Sequence, residues 1–169
     1  MLLLILEARF QCALWIVNST HECRNVFVFL HSKAIKRLLG KGYTGSIFAV
    51  EPRLSCADFS DVDLSNAYLM GADLRSAYLR SAKLSKAYLT GANLRSADLI
   101  RTDLVRADLS KANLCFANLR SANLNSVCLS GADLSGANLR DADLRDADLS
   151  SVYLSRGNLR RANLTGAIY

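Results

Sequence analysis

The chain has 169 residues, of which 51% are hydrophobic and 21% charged, with nine glycines, one proline and a formal net charge of +6 at pH 7. That length holds one domain and a flanking segment. Residues 1–50 carry six Lys/Arg against Glu7 and Glu22, and residues 51–169 carry fifteen against thirteen acidic residues. A body so close to balance is not the acidic rod that would imitate a nucleic acid. Without an aromatic-interleaved basic cluster or a reader motif, its slight basicity does not mark a nucleic-acid binder either.

The chain opens on "MLLLILEARFQCALWIV", an apolar stretch interrupted by Glu7 and Arg9. Its uninterrupted run is well short of a bilayer span, and no basic region precedes Leu2 as a secretory signal requires. Further on, "HSKAIKRLLGKGYTG" reads as a short amphipathic helix: Ser32 caps it, Ile35, Leu38 and Leu39 share a face, and Gly40 or Gly42 ends it. The expected role of this segment is a lid over the first units of the array that follows, because terminal repeats expose core. The alternatives are a membrane-surface helix using Lys33, Lys36, Arg37 and Lys41, or an extension with little structure of its own.

The five cysteines, at 12, 23, 56, 115 and 128, are odd in number and scattered. They predict reduced thiols in a cytoplasmic setting rather than a disulfide framework. Cys115 and Cys128 fall on outward positions and read as surface thiols. His21, Glu22 and Cys23 with Cys12 form the one cluster near a metal pattern, and its spacing matches no known site; no metal or cofactor is expected.

From residue 59 the chain repeats every five residues. Stepping from Phe59 to Leu164 gives 22 positions, all leucine except Phe59. Two residues before them, 17 of the 22 are alanine, and the exceptions are Val62, Thr102, Val127, Val152 and Gly157. The register never slips, so no loop interrupts the array. A period of five suits neither a helix face, which recurs every 3.6 residues, nor a strand face, which recurs every two. A fixed repeat of this kind decides the fold.

If each unit is one short extended side followed by a quarter turn, four units close a square coil and every central leucine points to the axis. The alanine points inward too, since packing at interior density leaves no room for two large side chains per side. The residue before the leucine is mostly Asp or Asn, as at Asp98, Asp103, Asp108, Asn113, Asn118 and Asn123. It faces out and suits turn-rich backbone, because such side chains hydrogen-bond to nearby main chain and tolerate unusual φ. Coils stacked about 4.8 Å apart would bond like neighbouring parallel strands, giving roughly five and a half coils about 25 Å tall.

The units Ala-Asp-Leu-Arg-Ser (72–76), Ala-Asn-Leu-Arg-Ser (92–96) and Ala-Asp-Leu-Ser-Gly (132–136) resemble the A(D/N)LXX consensus of the pentapeptide repeat family. The resemblance covers about residues 54–169. It implies an all-β solenoid, a right-handed quadrilateral parallel β-helix, which agrees with the construction above and adds the hand. The chain then divides into an N-terminal segment, 1–50, helical or irregular, and a repeat β-helix, 51–169. About activity the resemblance implies little. Most of the family lacks a known one, and its best understood members resemble double-stranded DNA in shape and charge and bind DNA gyrase.

Catalysis is not expected. Both histidines lie outside the array, no glycine loop cradles phosphate, and Asp141 and Asp143 are flanked by Arg140 and Arg145 as screened surface charge. Residues twenty apart should stack on successive coils, which puts Arg80, Arg120, Arg140 and Arg160 in one column broken by Ile100. Like charges so close repel unless something lies between or opposite, and Arg161 is placed to pair with Asp141 across coils. The column is the candidate interaction stripe. Tyr68 and Tyr88 align on another side, Gly71, Gly91 and Gly131 make a smooth line, and Asp141, Asp143, Asp146 and Asp148 mark a local acidic patch.

The last units, "ANLTGAIY", keep the register and bring Leu164, Ile168 and Tyr169 to one coil. These residues are the candidate dimer end, as gyrase-directed members of the family pair through their C-terminal ends. The reading that follows is a non-enzymatic scaffold or binding module presenting side chains to a protein partner. The alternative is a DNA-mimic inhibitor or protector of gyrase, which a continuous acidic face would favour.

Overall fold

The computed structural model describes residues 54–169. The expected lid helix, the apolar start, and Cys12, Cys23, His21 and His31 lie outside the described residues.

Parallel bridges join residues twenty apart, at every fifth position from Asp58 with Tyr78 to Asp148 with Ile168. Four five-residue units therefore close one coil, as the leucine spacing predicts. Side 1 carries the bridging column Asp58, Tyr78, Asp98, Asn118, Asn138 and Asn158. Side 2 carries Asp63 to Asn163, side 3 Tyr68 to Ile168, and side 4 Asp73 to Tyr153, each in steps of twenty.

Backbone donors account for the rest of the pattern. In the unit 94–98, the Leu94 N–H donates to Asn113 O of the next coil at 2.7 Å, and the Ser96 N–H to Cys115 O at 2.9 Å. The Ala97 N–H closes a turn onto Leu94 O at 3.0 Å, and the Asp98 N–H donates back to Ala77 O at 2.9 Å. One donor in five is left, the amide after the leucine, here Arg95. It finds Asn93 Oδ1 at 3.2 Å, and the same bond recurs from Ser60 to Asp58, from Ser110 to Asp108 and from Thr165 to Asn163. Where Asp or Asn precedes the leucine, its short side-chain acceptor completes the set; where Tyr78, Lys83 or Tyr88 stands there, no such bond forms.

The unusual φ is not at these residues, contrary to the expectation from sequence. It sits two residues after the leucine, at the corner. Every corner from Cys56 to Gly166 has positive φ, eighteen of them at non-glycine residues with φ between 53° and 64°. A β-turn whose third residue is left-handed is a type II turn, and its geometry fixes the sign there whatever the residue. Each such non-glycine residue costs about 1 kcal/mol or more. The stacked bonds on both neighbouring coils hold it in place.

Inside, every central leucine from Leu64 to Leu144 is at most 2% exposed, and the alanines between them are equally covered. Each leucine contributes about 1.5–3 kcal/mol by burial. Thr102 replaces an alanine without loss, because its buried hydroxyl donates to Leu79 O at 2.7 Å. Burial ends at Leu149; Leu154, Leu159 and Leu164 are half-buried, and Ile168 and Tyr169 are exposed.

Leu119 is 1% exposed in a middle coil. Leu119→Asp places a carboxylate on the axis without a partner, and the expected outcome is loss of cooperative thermal unfolding. A melt superposing on the parent would contradict the axial placement.

Candidate interaction surface

With the axis filled by leucine and alanine, the chemistry of the repeat lies on its outer walls. Counting each corner with the side it ends, side 1 holds six arginines against four aspartates among the described residues. Side 2 is balanced, side 3 has Lys111 against Asp108 and Asp148, and side 4 has three arginines against Asp73 and Asp133. No side of the described solenoid is continuously acidic. The four aspartates expected as a patch are dispersed by the corners: Asp141 ends side 1, Asp143 and Asp146 are on side 2, and Asp148 is on side 3.

The arginine column stands on side 1 and has two different halves. Arg80 turns to Asp98, its Nε 2.5 Å from Oδ2, and Ile100 separates it from the rest. Below Ile100, Asp141 is clasped by several guanidinium groups: Arg161 Nε lies 3.0 Å from Oδ1, Arg140 Nε 3.2 Å from Oδ2, and Arg120 Nε 4.0 Å from Oδ2. Arg140 Nε is buried and, despite that approach, its angle makes no hydrogen bond. Only the Arg161 pairing follows from sequence spacing. The other two contacts arise because Asp141 sits at the corner beside the column. Along the same rows Asn158 donates to Asn138, and Asn138 to Asn118, each at 3.3 Å, so the asparagine amides form a ladder.

Side 4 holds features that the sequence reading missed. Cys115 was expected as a surface thiol but is 7% exposed. Its short side chain tucks against the wall, where burial and a hydrogen bond to Asp133 raise its pKa. Phe116, at the next corner, has φ 59° and is 58% exposed. Arg95 stands over its ring at 4.9 Å, and Gly136 lies so close that an added Cβ would come within 2.7 Å of Cδ1 and Cε1. The readable signal was the step of twenty from Phe116 to Gly136, a bulky residue facing the one residue without a side chain. On side 3, Tyr68 and Tyr88 stack with centroids 4.8 Å apart and planes 12° from parallel. There Cys128 is half-buried, its Sγ 3.1 Å from Ser110 Oγ. A shallow depression lies at Asp58, Ser60, Tyr78 and Arg80.

Several carboxyls on the walls are held below the usual carboxylate range. Hydrogen bonds from Arg145 lower Asp143, the Cys115 thiol and Ser135 lower Asp133, and Ser150 lowers Asp148. For Asp108, burial pushes upward but is outweighed by Ser110 and Thr90. Groups with depressed folded-state pKa contribute stability above the unfolded value, about 3.9 for Asp, and lose it as pH falls through the folded one. The melting temperature is therefore expected to be flat from pH 7 to about 5 and to fall below about 4. Asp143→Asn keeps the acceptor for the Arg145 amide, as Asn123 and Asn163 do in its column, and should make the acid limb shallower. A melting temperature that rises on acidification would contradict this assignment.

The family model for pentapeptide repeats matches residues 53–91, 97–136 and 128–166. Among solved structures, the chain is 30% identical to HetL, a pentapeptide repeat protein involved in heterocyst differentiation regulation from the cyanobacterium Nostoc sp. strain PCC 7120. That likeness covers 69% of this chain and 78% of HetL, with a TM-score of 0.44. A pentapeptide repeat protein from the Arabidopsis thaliana thylakoid lumen is also 30% identical over 60% of this chain and 68% of its own, with a TM-score of 0.36. Full-length QnrB1, a plasmid-mediated fluoroquinolone resistance protein, is 19% identical over 66% and 75%, with a TM-score of 0.36. A search of curated proteins finds no match. The period, the twenty-residue bridging and the family model agree: the chain belongs to the pentapeptide repeat family, and its solenoid is the right-handed quadrilateral β-helix of that family.

Proposed function

We propose that this chain is a non-enzymatic interaction module, a stiff scaffold whose outer walls present side chains to a protein partner. The observation that carries the reading is the filled axis. Leucine and alanine, with Thr102 and Val127, occupy it from Leu64 to Leu149, so recognition is left to the flat sides, where bridging fixes each residue in a column. Mixed charge on those sides favours this reading over a DNA-mimic inhibitor or protector of gyrase, which needs a continuous acidic wall. The thiol reading of the cysteines adds a reducing, cytoplasmic setting to the proposal.

A copy of the chain is also proposed to pair with another through the coil at residues 150–169. There Leu154, Leu159 and Leu164 are half-buried, and Ile168 and Tyr169 are 61% and 75% exposed. Joining two such ends covers both apolar surfaces with one symmetric contact.

Purified chain added to a gyrase supercoiling reaction at micromolar concentration is expected to leave it unchanged, while immobilised chain retains discrete proteins from a lysate of its native cell. Inhibition or protection of gyrase at that concentration would replace the module reading with the gyrase one. In sedimentation at micromolar concentration the expected mass is that of a dimer, and Ile168→Asp with Tyr169→Ser should return it to monomer. A parent that sediments as a monomer rules the pairing out.

A further inference from the structure

We propose that the half of side 1 between Phe116 and Arg161 docks an acidic, α-helical segment of a partner protein. The proposal rests on the interaction-module reading and names the surface and the chemistry of what it holds.

The triplet Asn-Leu-Arg recurs at 118–120, 138–140 and 158–160, and these three copies stack on one side. Their arginines form successive rows about 4.8 Å apart. Only Asp141 stands among them, and it already approaches Arg120, Arg140 and Arg161. Arg160 is exposed and makes no ion pair among the described residues, and Arg140 Nε has no hydrogen-bond acceptor. Folding does not require this excess of positive charge, since the same position in the column is filled by Ser60 and Ile100 in other coils. The asparagine ladder alongside spends its amides internally, so the wall beneath the arginines is flat and fixed.

Phe116 supplies the second half of the argument. Its corner neighbours above and below are Ser96 and Gly136, so the turn does not call for an aromatic, and a bulky residue at φ 59° is strained. The ring is 58% exposed although Arg95 and Gly136 lie against it, and an exposed aromatic that the corner does not require points to a role outside the fold. Phe116 closes side 4 and Ala117 opens side 1, so the ring stands at the corner bordering the arginine-bearing side, and an exposed aromatic with arginine has the composition of an interface anchor.

The complementary surface is a helix bearing carboxylates at i, i+3 or i+4, and i+7. Their spacing of about 5–6 Å is commensurate with the arginine rows, and the apolar edge of such a helix reaches Phe116. A polynucleotide fits less well. The anion already held among these guanidinium groups is a carboxylate, that of Asp141. Arg95 stands over one face of the ring and Gly136 lies against its Cδ1–Cε1 edge, which leaves less of the ring for base stacking.

The test uses a fluorescein-labelled helical peptide with glutamates at i, i+4 and i+7 and leucines on the adjoining face, its glutamine counterpart, and a DNA duplex. The parent is expected to bind the glutamate peptide saturably and in a salt-sensitive way, and the other two at least about tenfold more weakly. Arg120→Glu with Arg140→Glu should weaken peptide binding about tenfold or more. Phe116→Gly should weaken it as well while holding or raising the melting temperature, because glycine relieves the left-handed corner; a purely structural phenylalanine would lower the melting temperature instead. Equal binding by parent and variants, equal binding of the glutamine peptide, or preference for the duplex overturns the proposal. Lysate partners retained alike by parent and by Arg120→Glu with Arg140→Glu overturn it and leave the interaction module standing. A parent that retains no partner and binds no peptide overturns both.

Discussion

The structure depends on one constraint: each backbone amide must find its acceptor on a chain that turns every five residues. Stacking at a step of twenty meets that demand for three donors in five, the corner turn meets it for a fourth, and an Asp or Asn oxygen meets it for the fifth wherever one of them precedes the leucine. Leucine burial supplies the driving force, but it is non-directional. The bonding fixes which residue is a corner, which is a wall and which is core. It also forces the left-handed corners, because the turn that aims each leucine at the axis has a positive φ in its third place.

What the sequence shows and hides follows from that division. The core was legible because leucine and alanine recur without a slip, and a side chain on the axis has few substitutes. The square coil, the parallel stacking and the pairing of Arg161 with Asp141 all followed from arithmetic on the period. The corners were not legible, because serine, arginine, lysine and phenylalanine all occupy them and none announces a positive φ. Nor was the burial of Cys115, since a thiol is small enough to lie flat against a wall where a longer side chain would stand out.

The same geometry separates side chains that fill the axis from side chains that only line a wall. A core substitution disturbs two neighbouring coils at once, whereas a wall residue touches its own column and the one beside it. Columns are therefore the units in which side chains are presented, and Asn-Leu-Arg repeats down one of them.

Amide hydrogen exchange read residue by residue tests the central claim most directly. The stacked account predicts slow exchange with a period of five through the middle coils: the amides of Leu114, Phe116, Ala117 and Asn118 protected, and that of Arg120, held only by a surface asparagine oxygen, exchanging first. Protection that alternates every second residue, or recurs at a helical spacing, would contradict it.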